Sequence, residues 1–444
     1  MAEGSEGRRI VRHTSPSRFL CPLLAFSLAF LVRLIPELMT PRYPVGYDVA
    51  MYAYRIPRVH AQPPSYLLIR PPLLYLIAWA LLRLTGLDVF LLLKLLSPAV
   101  YGFLALAFFA FLKRTLRWDE KRGLLGSLLC SLQIPALRLS WDLLRNELGL
   151  AFFFLFTAAF KSRSRSRPWL VLLTSLLTAL SHQLATVLMF IWCACQVLRR
   201  GWRNELPEVS LALTPSALLF SYQLAVYMGL VWPDSFPVTE HTVIALMPHP
   251  LRRVPPLPIP LKNYYADPRV LDHSYLGVAR SFLKLALTCY MPLLPLALIG
   301  LKREEALDPL IAWLSLATLS ILLCPSSYPF YDFFRWLLFM VFPLSAYAAN
   351  GLLRLRLRAR GPLLALTLTA YLLVGIGYAS GTIFRIADRD VNAYLPWSLR
   401  QSTISMDEID YCASCLRWLN QHAGGRSVLI TCLLYTSPSP RDRG

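Results

Sequence analysis

Long apolar runs separated by short basic stretches recur along most of this chain. They begin near Phe19, Val89, Gly123, Glu147, Pro168, Val209, Gly277, Pro309, Trp336 and Gly361, with a further run over 184–198. Runs of this kind approach the ~20 residues a helix needs to cross a bilayer. The basic clusters between them decide the threading. Those after Leu112 (Lys113 to Arg122), after Phe160 (Lys161 to Arg167), after Leu198 (Arg199, Arg200, Arg203), after Leu301 (Lys302, Arg303) and after Leu353 (Arg354 to Arg360) are expected on the cytoplasmic side. Two spans then separate each neighbouring pair: 123–139 with 145–160, 168–180 with 184–198, 208–230 with 277–301, and 308–323 with 336–353. Spans 19–38 and 88–112 precede them, and 361–382 follows as an eleventh.

One apolar stretch does not fit as a span. Arg70 to Leu82, "RPPLLYLIAWALL", is short, and counting it would turn the Lys113–Arg122 cluster outward. It is expected to lie on the outer surface as an amphipathic helix. The fold expected is therefore an all-α polytopic membrane protein of about eleven transmembrane helices, with an interfacial helix in the first outer loop. The N-terminus is inside, and 39–87, 140–144, 181–183, 231–276, 324–335 and everything after 383 are outside. Arg8, Arg9, Arg12 and Arg18 precede the first run as in a signal peptide, but the run is long, contains Arg33 and lacks a small-x-small cleavage site. It reads as an uncleaved first helix in a cell-membrane protein. The Pro-rich stretch 249–260, "HPLRRVPPLPIP", reads as an irregular outer loop.

Residues 1–383 thus form one transmembrane module. Residues 384–431 are of mixed composition and read as the opening of an extracytoplasmic soluble domain. The last stretch, 432–444, begins "CLLYTSPSPRD", which back-translates into a transposase-type sequencing-library adapter. It is expected to be no part of the natural protein.

Composition agrees with the pattern. Of 444 residues, 56% are hydrophobic and 16% charged, unlike an ordinary soluble domain. The net charge of +20 is concentrated in inter-span clusters, which suits anionic lipid and argues against nucleic acid. Most of the nine cysteines lie inside apolar runs, as packing residues do. Cys412 and Cys415 form one CxxC, and no second pair completes a zinc site.

The threading brings four polar groups to one face. Asp48, in "VGYDVAMYAYR", follows the first span; Asp142, in "LSWDLLRNELG", the third. His182 lies between spans five and six, and Tyr328, Tyr331, Asp332 and Arg335, in "PSSYPFYDFFR", between nine and ten. Ionisable groups at this depth are costly and point to function. Each also has a plain structural role open to it. Asp48 can cap a helix starting near Val49. Asp142 can pair with Arg145 three residues on, and His182 can be a loop residue. Arg335 can anchor at the interface beside Trp336. Arg33 and Lys94 lie in spans and can line the interior or snorkel.

Transfer from a phosphorylated membrane lipid uses such a set. A carboxylate near the sugar carbon deprotonates the acceptor or holds a divalent cation, while arginine binds the phosphate. The chain also resembles the GT-C superfamily of polytopic glycosyltransferases, which includes protein O-mannosyltransferases, aminoarabinose transferases and the catalytic subunit of oligosaccharyltransferase. The likeness lies in "GYDVAMYAYR" soon after the first span, in "RPPLLYLIAWALL" as an interfacial helix, and in "LLGSLLCSLQIPALRLSWD" leading to a second acid. It covers roughly residues 10–200. It implies a polyprenyl-phosphate sugar donor of the dolichyl or undecaprenyl type. Asp48 and Asp142 would be catalytic, or ligands of a divalent cation such as Mg or Mn. Arg335, Arg55, Tyr52, His182 and Tyr331 would bind substrate. The chain departs from oligosaccharyltransferase in having no DxD or DxE at the second site and no Trp-Trp-Asp motif. It has Arg70 where aminoarabinose-type enzymes carry an acid before Pro-Pro. The rival classes are a flippase or transporter of lipid-linked glycans and a non-catalytic assembly subunit. No internal repeat of the transporter kind is visible.

Overall fold

The computed structural model describes residues 17–40, 43–46, 48–62, 67–68, 71–200, 206–227, 283, 286–291, 293–304, 306–319, 333–355, 360–382, 414 and 418. The chain divides into two compact units, Met1–Gln401 and Ser402–Gly444. The sequence reading put the change at 383/384; residues 383–401 lie outside the described residues, as does most of the second unit.

The first unit is helical, with no strand among the described residues. Its helices are α1 (Ser17–Met39), α2 (Val49–Arg55), α3 (Leu73–Thr85), α4 (Val89–Ala110), α5 (Glu120–Ser131), α6 (Ile134–Asp142), α7 (Leu144–Phe160), α8 (Arg167–Ser181), α9 (Gln183–Arg200), α10 (Leu206–Tyr227), α11 (Leu293–Gly300), α12 (Asp308–Leu319), α13 (Phe333–Phe339), α14 (Val341–Arg354) and α15 (Arg360–Ala379). Four stretches are long and apolar enough to cross a membrane: Phe19–Met39, Val89–Thr115, Val209–Val226 and Trp336–Arg354. The pair α5 and α6 makes a fifth if its two halves are one span. Helices α3, α8, α9 and α15 are apolar but shorter.

Local sequence explains the main boundaries. Asp88 stands in extended conformation before α4, and its carboxylate accepts the Phe90 and Leu91 amides at 2.9 and 3.3 Å. Helix α3 stops at Gly86, whose φ of 66° is left-handed. It buries Leu74, Tyr75 and Ala78 and leaves Leu76, Arg83 and Leu84 exposed, so it is one-sided. The run read as one span over 123–139 is broken. Helices α5 and α6 meet at 64°. Pro135, in the first turn of α6, has no amide proton to carry the α5 ladder across the break.

The core lies where α4, α7 and α14 meet. Phe108 packs against Phe154 and Phe342 with ring centroids 5.1 and 5.4 Å apart, and Phe154 lies 4.9 Å from Phe342. Helices α11 and α14 approach with almost nothing between them. A Cβ on Gly300 would strike the Tyr347 carbonyl, and one on Gly351 the Leu296 carbonyl. The small residues let the two backbones touch.

Polar contacts tie together the basic clusters that the sequence reading put on one face. Lys113 pairs with Glu120 at 2.6 Å, and Arg122 binds the Asn350 side-chain carbonyl. Lys161 donates to Gln196 at 2.5 Å. Arg199 lies 3.9 Å from Asp308, and Arg354 donates to the Leu301 carbonyl at 3.3 Å.

Candidate functional site

The site begins with an acid–base pair buried in α1. Arg33 and Glu37, 0% and 1% exposed, stand one turn apart and pair at 2.7 Å. Both also reach beyond their helix. The Glu37 carboxylate accepts the Val45 amide, at 3.1 Å to its nearer oxygen. The Arg33 Nε donates to the Ser140 carbonyl at 3.1 Å, and its Nη2 to the Val45 carbonyl at 3.5 Å. Lys94, from the start of α4, donates to the carbonyl and the hydroxyl of Thr40 and so caps the end of α1. It is tied to the helix end, where the sequence reading left it to line the interior or snorkel.

These bonds bring the segment before α2 onto the end of α6. Gly46 sits against the Trp141 backbone, and a Cβ there would collide with the Trp141 carbonyl. Its φ of 125° also excludes most side chains. Asp48 is two residues beyond Gly46, and Asp142 is the residue after Trp141. The two acids singled out from the sequence are therefore borne by backbone segments in contact.

Asp48 is half-buried at the N-cap position of α2. Its backbone is right-handed helical and its side chain makes no capping bond to α2, so the position is that of a cap without the capping bond. Asp142 ends α6, and Leu143, with φ −108° and ψ 41°, separates it from α7. Asp142 and Arg145 thus belong to different helices, and the ordinary same-helix pair does not apply. The Arg145 guanidinium lies 5.8 Å from the Tyr75 ring of α3. The side chain of Asp142 lies outside the described residues.

The other candidates fall into three groups. Arg55 is half-buried at the last position of α2, seven residues after Asp48 and so on the same side of the helix, about 10 Å along it. Tyr52 is 2% exposed and packs on Tyr75 with ring centroids 5.8 Å apart, inside the apolar cluster of α2, α3 and α4. His182 is buried between α8 and α9. Its Nδ1 accepts the Leu184 amide at 3.1 Å, and its backbone lies against Gly149 of α7. It is a built-in cap of α9 beside α7. Arg335 lies on α13, which packs against α6; its side chain, and all of Tyr331, lie outside the described residues. Helix α15 also reaches α6, where Tyr378 stacks on Trp141 at 4.5 Å and 12°.

Two acids escaped the sequence reading. Glu37 was legible as an arginine's partner one turn away within an apolar run. Glu147, 0% exposed in α7, has neither carboxylate oxygen in a hydrogen bond, and both polar atoms of its neighbour Asn146 are also without partners.

Chemically, the site offers a half-buried carboxylate, a second acid on the adjoining helix end, and an arginine along α2. Among the described residues no three His, Cys, Asp or Glu side chains group as a metal centre would. Compared with known proteins, the chain matches no family model and no curated sequence.

Proposed function

We propose that this protein is a GT-C-type glycosyltransferase of the cell membrane, moving a sugar from a polyprenyl-phosphate carrier to an acceptor on the outer face. The observation that carries this reading is the packing of Gly46 on Trp141, which adjoins the segments bearing Asp48 and Asp142. In this reading the chain crosses the membrane eleven times, α3 lies on the outer surface, and the contacts among the basic clusters mark the cytoplasmic end.

Asp48 takes the proton from the acceptor's nucleophilic group. The acceptor atom then bonds to the anomeric carbon as the bond from that carbon to the phosphate oxygen breaks, with inversion. The phosphate leaves with the electron pair, and Arg335 and Arg55 balance its charge. Alternatively, Asp48 and Asp142 would together hold a divalent cation, Mg or Mn, that would neutralise the leaving phosphate. The apolar tail of the donor lies along the membrane-facing helices. Purified protein in vesicles, incubated with a panel of polyprenyl-phosphate sugars, tests the reading: transfer from at least one donor supports it, and none from the whole panel opposes it.

A second reading, as a flippase or transporter of lipid-linked glycans, is favoured by two features. These are the break between α5 and α6 and Glu147, buried inside the bundle with no hydrogen bond to its carboxyl oxygens. Glycan translocation without transfer, measured in sealed vesicles, would support it.

A further inference from the structure

We infer that Arg33 and Glu37 are positioning residues, a buried clamp that holds the Asp48 and Asp142 segments together; the catalytic part of this inference rests on the glycosyltransferase reading above. An ion pair taken wholly out of water is a poor source of stability, because desolvation offsets its attraction. What distinguishes this pair is where its remaining bonds go. Glu37 holds the Val45 amide and Arg33 the Val45 carbonyl, three residues before Asp48. Arg33 also holds the Ser140 carbonyl, two residues before Asp142. One guanidinium therefore spans two backbones distant in sequence, and each leads directly to an acid. Gly46 against Trp141 is the contact that the clamp closes.

Neither side chain reaches solvent, and neither is called on to touch substrate. Their effect on the reaction passes through the two backbones. A catalytic pair displaced by about 1 Å loses on the order of 10²-fold in rate, so the clamp acts on turnover more than on donor affinity.

Two variants test this. Arg33→Lys keeps the charge but loses the planar fork whose separate nitrogens reach the two carbonyls. Arg33→Met with Glu37→Leu removes both members of the pair, so neither is left buried without the other. Hydrogen exchange of the whole protein in detergent micelles reads the clamp directly. Peptides covering 43–48 and 139–143 should exchange at least about tenfold faster in both variants, with the rest of the bundle within about twofold. In vesicles, kcat should fall about 10²-fold while KM for the donor moves less than about threefold.

Wild-type protection at both segments, or loosening spread over the whole bundle, would overturn the inference. So would wild-type turnover in the folded double variant. If the wild-type protein transfers no sugar from any donor, the glycosyltransferase reading fails, and exchange at the two segments alone decides the clamp.

Discussion

Gly46 and Trp141 touch backbone to backbone, leaving no room for a side chain between them. The contact closes the first polar loop onto the bent α5–α6 pair. A Gly46→Ala substitution must relieve a collision and also adopt a φ of 125°. It should cost about 1–3 kcal/mol of stability and about 10²-fold in transfer. Thermal melting and turnover of the purified variant check both.

The crossing of α11 and α14 predicts a second glycine effect. Gly351→Ala drives a methyl into the Leu296 carbonyl and should lower the melting temperature markedly or prevent folding. Gly361→Ala, where nothing lies within 4 Å, should be neutral or stabilising by about 0.4–1 kcal/mol. Melting curves of the two variants, measured together, separate packing from a general intolerance of alanine.

Glu147 carries no hydrogen bond on either oxygen although it is fully buried. An apolar side chain of similar size in its place removes a desolvation cost of about 1–3 kcal/mol for an unsatisfied group. Glu147→Met should therefore melt at or above the wild-type temperature and keep its transfer rate. Loss of glycan translocation in that variant would instead favour the transporter reading.

Glu304 lies in the turn between α11 and α12, and burial raises its carboxyl above the ordinary value of 4.5, against the lowering effect of Lys302 and Arg122. The folded protein then binds this proton more tightly than the unfolded chain does. Stability contributed here is present below 4.5 and is lost as the pH rises through the raised value. Melting followed from about pH 4 to pH 8 should show this decline, and Glu304→Gln should flatten it.

Four of the expected spans were legible because helices long and apolar enough to cross a membrane write themselves as long apolar runs. The stretches 19–38, 88–112, 208–230 and 336–353 correspond to α1, α4, α10 and the α13–α14 region. The short "RPPLLYLIAWALL" is a separate one-sided helix, as its length suggested. The break in 123–139 was hidden because hydropathy is blind to Pro135's missing amide proton. At the site, polarity and order along the chain marked Asp48 and Asp142. The clamp beneath them was not marked, because a single acid or arginine in an apolar run does not reveal which distant backbone it binds. Tyr52 shows the converse: a polar side chain beside a candidate acid packs into the core, since its ring supplies most of its contact area.

The glycosyltransferase reading places the chemistry on Asp48. Its most direct test is sugar transfer from a polyprenyl-phosphate donor by wild-type protein, Asp48→Asn and Asp48→Ala, reconstituted side by side in vesicles. Transfer by the wild type and background levels in both variants are expected, with expression and melting unchanged. Wild-type rates in both variants would contradict it.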